Sequence, residues 1–341
     1  MNAPLIVEHL GVHYPVSRGS WLRRRQQMLK AVDDVSFELH PGETLGIVGE
    51  TGCGKSSLGK GVLQLIKPSA GRVLWQGHDL CTLTPAEMKR WRKDLQIIFQ
   101  DPLSSLNPRQ TIGEIVGEPL EVHHPEMMRA ERARRVDQML ERVGLRAEMR
   151  SRYPNEFSGG QCQRISIARA MIAEPKVIVC DEPVSSLDVS IQAQICNLLR
   201  DLQRDTGIAL LFISHDLPIV RYMSHRVMVM YLGKLMEQAT RVDFFDTARH
   251  PYSQALISAV PRTDAVPGSM GTSQATSQAT PQARAMDGEL PSPLNPPSGC
   301  VFRTRCPLAI PVCVSRQPAL SQAGPGHVVA CHRWMETGAD K

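Results

Sequence analysis

Thr44-Leu45-Gly46-Ile47-Val48-Gly49-Glu50-Thr51-Gly52-Cys53-Gly54-Lys55-Ser56-Ser57 is the stretch on which the reading of this 341-residue chain turns. Thr44 to Val48 is a short apolar strand, the glycine-rich turn follows, and Lys55 to Leu65 has a helical pattern. Two glycines separated by four residues, then Lys-Ser, between a strand and a helix, is the spacing of a phosphate-binding loop. Glycines let backbone amides turn inward around the β- and γ-phosphates of a nucleotide, and the helix adds its positive dipole end. The candidate ligands are Gly49, Thr51, Gly52, Cys53, Gly54, Lys55, Ser56 and Ser57. Lys55 supplies a point charge to the phosphates, and the Ser56 hydroxyl is a candidate Mg²⁺ ligand.

Outward from this loop, strand-like and helix-like stretches alternate to about residue 250. Ile97 to Phe99, Val177 to Cys180, Ala209 to Ile213 and Arg226 to Tyr231 are further buried-strand candidates, with helical patterns such as Ile191 to Leu202 between them. The alternation predicts an α/β fold with a mostly parallel sheet. Between Phe99 and Val177 no strand is predicted, and Glu126 to Val143 is helical in character. Residues 101–173 are therefore expected to form a helical subdomain inserted into a domain spanning residues 1–250. A composition break follows Pro261: the tract 263–286 is polar and of low complexity, and cannot bury enough apolar surface to order itself. Beyond it, residues 288–335 are rich in Pro and Cys, and read as a small module held by something other than an apolar core.

Composition excludes several classes. Hydrophobic residues make up 42% and charged residues 21%, as in an ordinary soluble domain. Aromatics at 5% and a net charge of +5 argue against nucleic-acid binding by base stacking on a basic face. The run Arg23-Arg24-Arg25, with Arg18, Trp21, Leu22 and Lys30 near it, reads as a solvated loop, with a brush against lipid headgroups as the alternative. Apolar runs such as Ile208 to Ile213 fall far short of the roughly 20 residues a bilayer needs, and the N-terminus lacks signal-peptide features. A cytoplasmic location is expected, so the nine cysteines do not read as a disulfide framework.

Two further motifs carry chemistry. Val177-Ile178-Val179-Cys180-Asp181-Glu182 places two carboxylates at the C-terminal end of a buried strand, where open α/β sheets bind ligands. Asp181 suits Mg²⁺, and Glu182 is placed to polarise an attacking water. Phe157-Ser158-Gly159-Gly160-Gln161-Cys162-Gln163-Arg164 precedes a helix predicted over Ile165 to Ala173, and forms a second anion cradle. One nucleotide site does not need two cradles, so the second is assigned to a nucleotide held by another subunit.

With these residues the chain resembles the ATP-binding cassette (ABC) family, in which two cassettes sandwich two ATP molecules head to tail. The resemblance assigns Ser158, Gly159, Gly160 and Gln161 to the signature. It assigns Gln100 to the glutamine that reaches Mg²⁺ and water and reports to the membrane partner. Ser185-Ser186-Leu187-Asp188 matches the loop that crosses the dimer interface, with Asp188 counted among the nucleotide-site residues. His215 matches the histidine that contacts the γ-phosphate, and Tyr14 the aromatic that stacks on adenine, although the Ser17 to Leu29 insertion separates it from its usual context. Glu182, His215 and Gln100 are thus the catalytic set, and Ser56, Gln100 and Asp181 the Mg²⁺ set.

Phe99-Gln100-Asp101-Pro102-Leu103-Ser104-Ser105-Leu106-Asn107-Pro108-Arg109, His250-Pro251-Tyr252 and the tail Gly299-Cys300-Val301-Phe302-Arg303-Thr304-Arg305-Cys306-Pro307 are similar to the peptide-importer branch. Within it the chain resembles the F-type ATP-binding subunits of oligopeptide permeases, with the dipeptide permease counterpart next. Residues 251–341 are then the branch's C-terminal extension. The resemblance implies an ATPase that works with a second, D-type ATP-binding subunit, two transmembrane permeases and an external peptide-binding protein. It also implies attachment to the cytoplasmic face of a bacterial inner membrane. A related nickel importer and a soluble ABC ATPase outside transport are the rival readings. Cys300, Cys306, Cys313 and Cys331 are separated by five, six and seventeen residues, and four thiolates can hold zinc or an iron–sulfur cluster. The resemblance favours a 4Fe–4S cluster, with His327 and His332 close enough to be alternative ligands.

Overall fold

The computed structural model describes residues 5–18, 25–260 and 289–337. The tract 263–286 and the Trp21 to Arg24 part of the basic run lie outside the described residues. Strands β1 (Leu5–Arg18) and β2 (Arg25–Leu39) form a long antiparallel ribbon, with Tyr14 opposite Leu29. With β4 (Ala70–Trp75) and β5 (His78–Asp79) they make a small sheet in the order β2-β1-β4-β5.

The large sheet has the order β11-β12-β10-β9-β3-β8-β7-β6. Its parallel centre is β3 (Thr44–Val48), β6 (Leu95–Ile98), β7 (Val177–Asp181), β8 (Ala209–Ile213) and β9 (Arg226–Tyr231). Strands β3, β7 and β8 are buried at every position, as both-face coverage demands. Alternation assigns their side chains to two cores. Leu45, Ile47, Val177, Val179, Leu211 and Ile213 pack with Leu5, Val7 and Val73 of the small sheet. Ile178, Cys180, Leu210 and Phe212 face the other way, onto the helices.

Helix α1 (Lys55–Val62) follows β3, and α2 (Pro85–Trp91) follows the small sheet. The segment between β6 and β7 contains α3 (Ile112–His123), α4 (Arg129–Arg142) and α5 (Gly159–Met171), with no strand. Helices α6 (Val189–Thr206) and α7 (Leu217–Met223) follow β7 and β8. Several boundaries differ from expectation. Helix α1 stops at Val62, because Gln64 adopts a positive φ of 54° that helical backbone does not allow. Helix α5 starts six residues earlier than predicted, because Ser158 and Gln161 cap it reciprocally.

The tail departs most from its sequence reading. Strand β10 (Lys234–Thr240), helices α8 (Arg241–Thr247) and α9 (Pro251–Ser258), helix α10 (Val312–Ser315), β11 (Ser321–Gly324) and β12 (His327–Val329) complete the described chain. β12 pairs with β10, and Val301 and Phe302 are buried in the helix-side core. An apolar core therefore does hold the Cys-containing segment. Beneath it, the fully buried Glu237 carboxylate accepts the backbone N–H groups of Arg249 (2.6 Å) and His250 (3.0 Å), and lies 2.7 Å from His327 Nε2. Burial alone would raise the Glu237 pKa, but His327 and the other donors hold it below the usual carboxylate value. Burial pushes His250 down to about 4, and its Nδ1 accepts the Tyr252 N–H at 3.0 Å.

Candidate functional site

The site lies along the C-terminal edges of four adjacent parallel strands, β3, β8, β7 and β6. From β3 the glycine-rich loop turns into α1. Gly54, with φ of 107°, caps that helix, and a Cβ there would stand 1.9 Å from the Ala31 carbonyl oxygen. Both the left-handed backbone and the close approach require glycine. Lys55 is buried, and its ammonium donates to the carbonyls of Gly49 (2.7 Å) and Glu50 (3.1 Å), which holds the charge over the loop. Thr51 and Gly52 are exposed at the loop's crest, and Cys53 is buried beneath it. Desolvation raises the Cys53 thiol pKa, which makes it a packing group here.

The carboxylates meet the loop from β7. Ser56 Oγ donates to Asp181 Oδ1 at 2.7 Å. Burial raises the Asp181 pKa against that hydrogen bond. A buried carboxylate beside a hydroxyl is a site a cation would stabilise, so the pair fits Mg²⁺. Among the described residues no three His, Cys, Asp or Glu side chains are grouped to hold a metal ion. Mg²⁺ does not need such a cage, since it takes one or two protein ligands with water and phosphate oxygens.

Glu182 follows with φ of 47°, a left-handed conformation that costs a non-glycine residue of order 1–3 kcal/mol. Its N–H donates to the Ile213 carbonyl (3.0 Å), which ties the β7 edge to the β8 edge. Gln100, just past β6, donates from Nε2 to Glu182 Oε2 at 3.1 Å, and His215 Nδ1, just past β8, lies 3.3 Å from the same oxygen. One carboxylate oxygen thus meets a side chain from each flanking strand. Tyr14 is half-buried on β1 and donates its hydroxyl to Ser57 Oγ at 3.2 Å, beside the start of α1.

The signature residues form a separate group. Ser158 and Gln161 hydrogen-bond each other at the start of α5 (3.0 and 3.4 Å). A Cβ on Gly160 would approach Ile191 Cγ2 to 2.6 Å, so glycine there lets α5 pack closely on α6. Gly159 faces Leu187 of the Ser185-to-Asp188 loop. Ser158, Gly159, Asp188 and the neighbouring Val189 are exposed, Val189 at 81%.

With this geometry in place, comparisons with known proteins decide the family. Residues 32–185 match the ABC transporter family model, and residues 236–313 match the model for the oligopeptide/dipeptide transporter C-terminal region. The oligopeptide transport ATP-binding protein OppF of Escherichia coli is 51% identical over 328 residues, covering 96% of this chain and 95% of that protein. The chain belongs to the ABC ATP-binding subunits of oligopeptide transport. The counterpart AppF of Bacillus subtilis is 49% identical over 321 residues, covering 94% of each chain. Among solved structures, the cassette MJ0796, a dimer bound to ADP and Pi, superposes with a TM-score of 0.61 at 26% identity, covering 70% of this chain and 98% of that one. cbiO1 from Clostridium perfringens, part of an ABC transporter complex, superposes with a TM-score of 0.60 at 27% identity, covering 72% of this chain and 91% of that one. The fold is accordingly that of an ABC cassette, and the chain is an ABC-type ATPase. Among the described residues no helix is long and apolar enough to cross a membrane.

Two groups of contacts in this ABC subunit have no counterpart in the sequence reading. Glu50, in the phosphate loop, donates its backbone N–H to the Tyr252 hydroxyl and accepts from the Arg305 guanidinium on its carboxylate. The Glu237, His250 and His327 group lies under the tail. His250-Pro251-Tyr252, the Gly299-to-Pro307 stretch and His327 stand out in the sequence, but for other reasons. Cys300, Cys306, Cys313 and Cys331 carry free thiols and line one enclosed cavity of about 20 Å³, with Phe302, Leu308 and Arg333. Desolvation raises the thiols of Cys300 and Cys331 to about 11, and raises that of Cys306. His332 also lines this cavity, whereas His327 is engaged with Glu237.

Proposed function

We propose that this chain powers peptide import by hydrolysing ATP at its own phosphate loop, while its signature residues complete the site of a second, D-type cassette. One observation carries the reading. Ser56, Asp181, Glu182, Gln100 and His215 are joined by hydrogen bonds and close contacts along one strand edge, while Ser158 lies in a separate exposed group. Lys55 and the loop amides bind the β- and γ-phosphates, and Tyr14 stacks on the adenine. Ser56, Asp181 and Gln100 hold Mg²⁺, which when bound neutralises charge on the phosphates. Glu182 takes a proton from water as the water oxygen bonds to the γ-phosphorus. The bond from phosphorus to the β–γ bridging oxygen breaks, and the electron pair leaves with ADP. His215 and Lys55 balance the charge on the transferring group.

Closure of the two cassettes moves the Gln100 segment, and the exposed Leu103 and Met128 of the helical insertion suit contact with the transmembrane permeases. An external peptide-binding protein delivers cargo on the other side of the membrane, so the chain is peripheral to the cytoplasmic face. Nickel import uses the same motor, and the match of residues 236–313 to the oligopeptide/dipeptide region favours peptides.

For the four cysteines, Cys300, Cys306, Cys313 and Cys331, we propose a 4Fe–4S cluster, with zinc as the alternative. What supports this reading is that four free thiols line one small cavity, and thiolates are the ligands such clusters take. When bound, the cluster crosslinks the segment from Cys300 to Cys331. Anaerobic affinity purification of the complex from membranes tests both readings. The expected preparation is brown, contains iron, and carries two different cassettes with two permeases. Loss of iron and colour in Cys306→Ser identifies the ligands. An iron-free, colourless wild-type complex removes the cluster, and a complex lacking permeases removes the transport role.

A further inference from the structure

Glu50 follows the first glycine of the loop that is to receive the triphosphate. Its carboxylate adds negative charge to a loop whose task is to receive negative charge, and such like-charge contacts oppose binding. Arg305 comes from a segment 255 residues away and places Nη1 2.8 Å from Glu50 Oε2. The Arg305 side chain is only 8% exposed and that of Glu50 23% exposed, so water screens the pair weakly. Behind them Tyr231, Tyr252 and Phe302 stack edge to face or tilted, with ring centroids 4.8 to 5.3 Å apart. Tyr231 also accepts from Arg305 at 3.4 Å, and the Tyr252 hydroxyl accepts the Glu50 N–H at 3.0 Å. The Glu50 carbonyl in turn accepts from Lys55. Glu50 is thus held at its N–H, its carbonyl and its carboxylate, with the first and last partners supplied by the C-terminal extension.

We propose that Arg305 is a positioning residue for ATP binding: it neutralises Glu50 and fixes the phosphate loop, which makes the C-terminal extension a determinant of nucleotide affinity. The inference rests on the nucleotide-site assignment given above. Arg305 acts on the loop through Glu50, with Tyr231 as its second partner. Because Phe302 and Arg305 both lie between Cys300 and Cys306, the conformation of the cysteine segment sets the clamp.

The test is the KM for ATP and kcat of the assembled transporter. Arg305→Met is expected to raise KM about tenfold, the effect of losing one charge-assisted hydrogen bond beside a bound anion, with kcat changed less than about threefold. Arg305→Lys, which keeps the charge, retains most of the affinity. Adding Glu50→Gln to Arg305→Met removes the uncompensated charge and recovers most of the loss. A purely structural role for Arg305 predicts no such recovery. An unchanged KM in Arg305→Met, or a loss that Glu50→Gln does not relieve, overturns the proposal. Lys55→Ala separates the two layers. If it keeps wild-type affinity, the nucleotide-site assignment falls and this proposal with it; if it loses ATP while Arg305→Met does not, only the clamp falls.

Discussion

Glu182→Gln is expected to lower ATP turnover by at least about 100-fold while leaving ATP binding intact, the range spanned by a positioned general base. The amide is nearly isosteric and cannot take the proton from water. It can still accept from Gln100, so the arrangement at the β7 edge survives. With hydrolysis blocked, the ATP-bound pair of cassettes should accumulate, because the interactions that close it are made by substrate and reversed only by its cleavage. Size-exclusion chromatography with light scattering, alongside steady-state ATPase rates, checks both halves. Wild-type turnover by this variant would reassign the base. Gln100 and His215 share the Glu182 oxygen, so their substitutions should act on the same step and fall short of additivity with Glu182→Gln.

Removing Glu237 should strongly destabilise the tail. Glu237→Ala leaves His327 and the N–H groups of Arg249 and His250 without their buried acceptor. Breaking such a buried group typically costs about 3–5 kcal/mol. The tail strand β12 pairs with β10 across Glu237 and Val329, so the loss should appear as faster amide exchange over His327–Val329 before global unfolding. Acid should act in the same direction. His250 has a folded pKa of about 4 against 6.5 in the unfolded chain, so the unfolded state takes up the proton first. The stability contributed by neutral His250 is complete above pH 6.5 and is lost as pH falls to about 4, on the order of 3 kcal/mol. Glu237, held below its unfolded value of 4.5, adds a second loss as pH falls through its folded pKa. Amide exchange of the tail at pH 7 and pH 5 checks the sign: tail protection that rises on acidification contradicts this account.

The difference between what was legible in the sequence and what was not has a physical origin. The strands carrying the site are continuous apolar runs, Val177 to Cys180 and Ala209 to Ile213, and such runs identify themselves locally. Asp181 ends β7, Glu182 and His215 follow strand ends within two residues, and Lys55 follows β3 across the glycine-rich loop, so knowing the strands places the side chains on one edge. The β1–β2 ribbon was not legible. Its strands mix Glu, His, Tyr, Asp and Lys with apolar residues, and register shifts interrupt their alternation. The start of α5 at Ser158 was missed because two glycines open the helix, and only the Ser158–Gln161 cap overrides their low propensity. The Arg305–Glu50 pair had no local signature, since an ion pair across 255 residues exists only after folding. The apolar anchoring of the tail was hidden for a similar reason: Val301 and Phe302 look isolated among Pro, Gly and Cys until the main core receives them.

The central claim is that the two anion cradles of this chain serve different nucleotides. It is tested most directly by the ATP affinity of the isolated chain carrying Ser158→Arg, read together with its ATP-dependent association with the second cassette. The account predicts an unchanged Kd for ATP, set by Lys55 and the phosphate loop, and loss of association. A fall in the isolated chain's own affinity as deep as that of Lys55→Ala would place Ser158 and Lys55 on one molecule and contradict it.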